Sequence, residues 1–198
     1  MVVADGKRGD VPVTASAYGQ ALFGVTETPF GAVEGLRADA ATVNPLLGGD
    51  ALEPLIEAAS ASGAGVFALV RTSNPGAADL LDLTAGGAPL HERLAAIVAE
   101  RAPRLAGSDG LSGMGAVVGA TEPRHLARLR ELMPDSIFLV PGVGAQGGSA
   151  SELGPAFSAG PASVLVPVSR SIAGADDPAA AAARLRDQLW SVSQQAAR

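Results

Sequence analysis

The sequence predicts an α/β fold of the (β/α)8 barrel class, with about six of the eight βα units present. Three observations carry that expectation. Short apolar runs alternate with longer stretches of helical periodicity, which implies a parallel sheet with helices packed outside it. Nearly every polar motif follows directly on an apolar run, so the functional groups gather along one rim. A doubly wound sheet would instead concentrate them at one switch point. The chain has 198 residues, where a complete barrel takes about 250. Because the first apolar run begins at Val2, the first two strands are expected to be missing from the front, leaving residues 1–198 as one partial barrel domain.

The elements follow in order. Val2-Val3-Ala4 reads as a buried strand, followed by a helix over 14–23. Ala40–Val43 is a second strand, and the helix over 52–60 has Asp50 as its expected N-cap. Val66–Val70 is a third strand, and residues 90–101 carry apolar spacing near 3.6. Ala116–Val118 precedes a helix over 122–132, and Ile137–Val140 precedes a Gly-rich loop with a short helix near Glu152. Val164–Val166 leads to a last Ala/Arg helix over about 178–194.

Composition narrows the function. A net charge of -6 with no basic stripe, and 4% aromatic residues, argue against a nucleic-acid partner. With no cysteine, disulfides and thiolate metal sites are excluded, which fits a reducing cytoplasm. No signal pattern and no apolar run of about 18 residues is found, so a membrane partner is not expected. Of the 14 basic residues only Lys7 is lysine. Arginine holds its proton near neutral pH and lysine can give one up, so Lys7 is a candidate for proton chemistry.

Lys7 lies in the loop Asp5-Gly6-Lys7-Arg8-Gly9-Asp10. Two carboxylates near one ammonium favour its charged form. The plainer reading is a turn, for which Asp-Gly is ordinary chemistry. Pro141-Gly142-Val143-Gly144-Ala145-Gln146-Gly147-Gly148 follows a strand, and its glycines could let backbone N–H groups close around an anion. Arg170, after the next strand, offers the planar fork that phosphate oxygens prefer, or is a cap or surface arginine. Ser73 and Asn74 are turn-capping groups or hydrogen-bonding partners for a polar ring. His91 and His125 fall on helices beside charged residues and read as solvated, and no cluster has metal-ligand spacing.

DGKRGD with Thr14, the segment Val43-Asn44-Pro45-Leu46-Leu47-Gly48-Gly49-Asp50, RTSNPG at 71–76, Val118-Gly119-Ala120-Thr121, Leu139-Val140-PGVGAQGG and Ser169-Arg170 occur in that order. Together they closely resemble the orotidine 5'-phosphate decarboxylase family, bacterial type 2 subfamily, from the first residue to about Ile172. The resemblance implies decarboxylation of orotidine 5'-phosphate to uridine 5'-phosphate, the last step of de novo UMP synthesis, without metal or organic cofactor. It implies that Asp5 sits near the departing carboxylate and that Lys7 stabilises and protonates the ring carbanion. It further implies an obligate homodimer in which Asp10 and Thr14 enter the neighbouring subunit's site. Ser73 would contact the pyrimidine, and Gln146 and Arg170 the phosphate, with the backbone of Gly142 and Gly144 beside them.

Departures from the pattern are also legible. The family's charged network has a second lysine on the strand before Val2, and a ribose-binding aspartate one strand earlier. Lys7 is the only lysine, so nothing else in the chain can stand in for that second one, and little activity is expected of these residues alone. Leu46 replaces an expected aromatic, and Val168 an expected alanine. Two alternatives share these features. One is a magnesium-dependent sugar-phosphate lyase with the same DxKxxD loop, against which RTSNPG argues. The other is a non-catalytic barrel fragment.

Overall fold

The computed structural model describes residues 1–196. Strand β1 (Val3–Arg8) leads into helix α1 (Pro12–Phe23), then a hairpin of β2 (Val25–Thr28) and β3 (Gly31–Glu34), then β4 (Ala40–Val43). Next come α2 (Glu53–Ser62), β5 (Gly65–Arg71), α3 (Ala77–Leu81) and a small hairpin of β6 (Thr84–Ala85) and β7 (Ala88–Pro89). The alternation continues through α4 (Leu90–Arg101), β8 (Ser112–Val118), α5 (Pro123–Leu132) and β9 (Ser136–Leu139). It ends with β10 (Val164–Leu165), α6 (Arg170–Ala173) and α7 (Pro178–Ala196). Six strands form one parallel sheet, ordered β1-β4-β5-β8-β9-β10, that curls as a half-barrel with β1 and β10 at its edges.

Strand alternation sorts the apolar residues onto two faces. Ala41, Val43, Val66, Ala68, Val70, Ala116 and Val118 pack outward against Leu55, Ile56, Leu94, Val98, Leu126 and Leu129 of the helices. Ala40, Phe67 and Val117 face inward, with Val3, Leu69, Ile137, Leu139 and Leu165 packed around them. Burial on both faces explains why these strands read as continuous apolar runs rather than alternating ones. Gly115 makes room on the inner face: a Cβ there would lie 2.5 Å from the Phe67 ring and 2.4 Å from the Ile137 carbonyl oxygen.

Several expectations change. The strand expected at 2–4 extends through Arg8, so Asp5, Gly6 and Lys7 belong to β1 rather than to a loop. Asp50 does not cap α2; residues 50–52 form a 3-10 turn, and the helix begins at Glu53 without a side-chain cap. The β2–β3 hairpin carried no sequence signal, because its residues lack a turn dipeptide of the Asn-Gly kind. Near Glu152 the chain makes 3-10 turns instead of an α-helix. Arg130 explains how that segment is held. Its buried guanidinium donates to the carbonyls of Ala156, Ser163, Met133 and Ser136, and it lies 3.7 Å above the Phe138 ring. Burial lowers its pKa to about 10, which still leaves it charged at neutral pH. No helix among the described residues is long and apolar enough to cross a membrane.

Candidate active site

Because the six strands are parallel, their C-terminal ends share one rim, and every candidate motif lies there. At one edge, β1 carries Asp5 and Lys7, which meet at Thr42 on the neighbouring strand β4. The register shifts between Ala4 and Arg8, and Lys7 adopts φ 48°, a left-handed conformation unusual for a residue with a side chain. Such a conformation costs on the order of 1–3 kcal/mol and persists only where neighbours fix it. Here Thr42 does so. Its hydroxyl oxygen accepts the Lys7 backbone N–H at 2.9 Å and donates to Asp5 Oδ1 at 2.8 Å. Lys7 Nζ meets the same carboxylate oxygen at 2.6 Å.

This set is half open. The Lys7 and Asp5 side chains are 51% and 63% exposed, so water screens their attraction. The Lys7 hydrogen bond, aided by Thr42, holds the Asp5 carboxyl below the usual carboxylate range against the opposing effect of burial. Thr42 itself is 1% exposed and fully committed to the pair. Sequence reading missed it; the available signal was a lone hydroxyl in an otherwise apolar buried strand. Gly9 is also explained. A Cβ there would lie 2.5 Å from the Asn44 carbonyl oxygen, so only glycine lets the rims after β1 and β4 close together.

Asp10, which the spacing of the loop would put near Lys7 and the family resemblance assigns to a neighbouring subunit's site, is not paired with Lys7 among the described residues. Its carboxylate accepts the Val11 N–H at 2.7 Å, at the entrance to α1, where Pro12 opens the helix and Thr14 lies in the first turn. The structure therefore separates the two carboxylates of the motif: Asp5 holds the ammonium, and Asp10 does not.

Farther along the rim, Ser73 Oγ donates to Gln146 Oε1 at 2.8 Å. The two loops follow β5 and β9, which flank β8, so this bond spans two strand spacings of about 4.8 Å each. Thr121 Oγ donates to the Ser73 carbonyl at 3.2 Å. Gly142, at φ 108°, approaches the same serine so closely that a Cβ would lie 3.0 Å from the Ser73 Cβ. Within the Gly-rich loop, the N–H of Gly144 bonds to the Gly148 carbonyl at 2.9 Å, and those of Gly147 and Gly148 also bond inside the loop. The Gly144 amide is therefore committed to shaping the turn. Arg170 opens α6 and is exposed, and its neighbour Ser171 packs against Gly144.

The two histidines depart most from expectation. His91 is 3% exposed, and its Nδ1–H donates to the Leu81 carbonyl at 2.8 Å, with Asp82 Oδ1 at 3.2 Å. The His125 ring stands edge-on to it, centroids 4.7 Å apart, and His125 Nε2 is buried without a partner among the described residues. Charged neighbours in sequence suggested solvated positions, but both residues occur on faces of α4 and α5 that turn toward each other and toward Asp82. Burial first, then the nearby His91 and Arg71, lower the His125 pKa from its ordinary value. A lowered imidazole pKa means the unfolded chain binds more protons than the folded one as pH falls through about 6.5. The contribution to stability is thus complete above that value and is lost toward the lower folded pKa. We expect the urea midpoint to fall between pH 7.5 and 5.5, and His125→Leu to flatten that dependence. An unchanged slope in the variant would assign the titration elsewhere.

Comparison with known proteins places this rim in a family. A model of the orotidine 5'-phosphate decarboxylase / HUMPS family matches residues 1–185. The chain is 45% identical over 175 residues to an orotidine 5'-phosphate decarboxylase of Rhodopirellula baltica, covering 87% of this chain and 56% of that protein. It is 44% identical over 209 residues to the enzyme of that name from Thermomicrobium roseum, covering 99% of this chain and 66% of the relative. It therefore spans between about half and two thirds of the length of these curated relatives. Among solved structures, Leishmania donovani OMP decarboxylase superposes with a TM-score of 0.72 at 36% identity, covering 96% of this chain and 68% of that one. A curled parallel sheet, a rim bearing the DGKRGD, RTSNPG and PGVGAQGG motifs, and a family match over nearly the whole length leave one assignment: the chain belongs to the orotidine 5'-phosphate decarboxylase / HUMPS family.

Proposed function

We propose that this chain carries the reaction centre of an orotidine 5'-phosphate decarboxylase. The observation that supports the reading best is the Asp5–Lys7–Thr42 set, an ammonium fixed on the rim by a buried hydroxyl and a carboxylate. In the proposed reaction the bond from C6 of the pyrimidine to its carboxylate breaks, carbon dioxide leaves, and the electron pair stays on C6. The Lys7 ammonium stands opposite that developing charge and delivers the proton to C6, giving uridine 5'-phosphate. A fixed charge of this kind needs no reorganisation as the reaction proceeds. The Asp5 carboxylate, held ionised, lies near the carboxylate that departs and disfavours the bound ground state. Ser73 faces the pyrimidine; Gln146 and Arg170, beside the backbone of Gly142 and Gly144, hold the phosphate. The Ser73–Gln146 hydrogen bond lets phosphate binding bear on the ring, so that energy gained far from C6 serves orientation.

The test is release of carbon dioxide from orotidine 5'-phosphate by the motif-bearing rim in a polypeptide whose barrel is closed by further βα units, assayed with chelator present. Turnover only of a sugar phosphate, and only with added magnesium, would favour the sister lyases instead. Arg170→Ala is expected to weaken uridylate binding by about 1.5–3 kcal/mol, the worth of a hydrogen bond to a charged group. Uridine, which lacks the phosphate, should bind almost unchanged, as calorimetry on both ligands would establish. Equal losses for the two would remove Arg170 from the phosphate site.

We also propose a homodimer in which Asp10 and Thr14 complete the partner's site. Asp10 is not engaged with Lys7 in its own protomer. Val11 and Val13, next to it in sequence, and Leu46 and Leu47, on the segment that follows β4, are all exposed, as an unpaired interface would leave them. Inactive Lys7→Ala and Asp10→Ala proteins are therefore expected to complement on subunit exchange. One site of each mixed dimer regains both groups, so activity should return to about a quarter of the native level. No recovery after demonstrated exchange would place Asp10 in its own subunit's site.

A further inference from the structure

The arginine of RTSNPG lies on the functional rim, where a ligand-binding arginine would be expected, and yet it points elsewhere. Alternation along β5 would aim Arg71 inward with Phe67 and Leu69. The register of β5 against β8 shifts between Leu69 and Arg71, and a shift of this kind re-aims the next side chain along the strand. Arg71 turns to the helix side and is 4% exposed. Its Nε and Nη2 fork the Asp82 carboxylate at 2.8 and 3.0 Å, and Nη1 donates to the Thr72 carbonyl at 2.7 Å. One guanidinium thus joins the first and last residues of the segment from Thr72 to Asp82. From α4, His91 secures the far end by donating to the Leu81 carbonyl and approaching Asp82.

Resting on the decarboxylase function proposed for this rim, we propose that Arg71, Asp82 and His91 are positioning residues for the reaction. They form a largely buried brace that closes the base of the 72–82 segment and sets the height at which Ser73 meets Gln146. Arg71 is then no anion ligand. Its three observed partners are all oxygen acceptors of the protein, and little of it is open to a substrate. A bidentate fork suits this task because it fixes orientation as well as distance, which a lysine's single point charge cannot do. The brace acts on the ring-facing serine through the backbone between Thr72 and Ser73.

The experiment pairs amide hydrogen exchange with uridine 5'-monophosphate binding by calorimetry, in Asp82→Asn, Arg71→Lys, His91→Phe and His91→Asn. Asp82→Asn and Arg71→Lys should speed exchange across 73–81 by about tenfold or more, leaving β1 and β8 unchanged. His91→Phe should do the same more mildly. His91→Asn, whose amide N–H replaces Nδ1–H, should restore protection. Asp82→Asn should weaken uridylate about tenfold in the native background, but less than about twofold when Ser73 is already alanine. Unchanged exchange, or an equal loss of affinity with and without the Ser73 hydroxyl, would overturn the brace. If Asp82→Asn does not fold, His91→Phe against His91→Asn decides the same question. If the unsubstituted protein, in a polypeptide whose barrel is closed by further βα units, binds no uridylate, the functional reading fails, while the exchange measurements still decide the brace.

Discussion

Lys7→Arg is expected to lower the rate of decarboxylation by about a thousandfold or more while leaving uridylate affinity within about threefold. General acid catalysis by one positioned group accounts for roughly 100- to 10,000-fold. Arginine keeps the positive charge but holds its proton at neutral pH, so in the proposed reaction delivery to C6 would stop. The site is also built to the dimensions of an ammonium. Lys7 Nζ reaches Asp5 Oδ1 at 2.6 Å from a strained backbone position, and Thr42 fixes both partners from beneath. A planar guanidinium presents a different fork of donors to that carboxylate and does not reproduce the single ammonium contact. Single-turnover release of carbon dioxide, with uridylate binding measured in parallel, separates chemistry from affinity. An arginine variant that keeps near-normal turnover would take Lys7 out of the mechanism.

Residues 1–198 by themselves are expected to turn over orotidine 5'-phosphate at least about a hundredfold more slowly than a polypeptide in which further βα units join β10 to β1. The sheet has six strands, and both edges are unpaired among the described residues. Free edges of this kind invite association with other chains. The inner face is only partly covered: Leu69, Ile137, Leu139 and Leu165 remain half-buried there, and Ile137 and Leu165 line an open cavity of about 470 Å3. Lys7 lies on one edge strand and Arg170 follows the other, so the distance a nucleotide must bridge depends on how far the sheet curls. A misplacement of about 1 Å at a reacting centre is enough to cost on the order of a hundredfold. Turnover per site and sedimentation of both forms provide the check. A monodisperse short form with equal turnover would show that six strands hold the rim in working geometry.

Local patterns reached far in this chain. The parallel alternation was legible because strands buried on both faces are continuous apolar runs, and α4 over 90–101 was bounded correctly by its 3.6-residue period. Lys7 stood out as the single lysine, and the rim motifs identified the family through residues that are close neighbours in sequence. The largest failures concerned features decided by partners. His91 and His125 looked solvated because their neighbours in sequence are charged, but they belong to two helices whose facing surfaces bury them. Asp50 had the chemistry of an N-cap, and an intervening 3-10 turn took that role from it.

The division has a physical cause. Periodicity, charge and glycine content are properties of a few consecutive residues, so strand, helix and rim emerge from them without knowledge of the rest of the chain. The working geometry rests on contacts between residues far apart: Thr42 with Asp5 and Lys7 across 37 and 35 positions, and Ser73 with Gln146 across 73. Whether those side chains meet depends on strand register, and register shifts on β1 and β5 redirect the side chains beyond them. The residue types at Lys7 and Arg71 are therefore plain in one dimension. That one faces the rim and the other the helices is decided only when the sheet is paired.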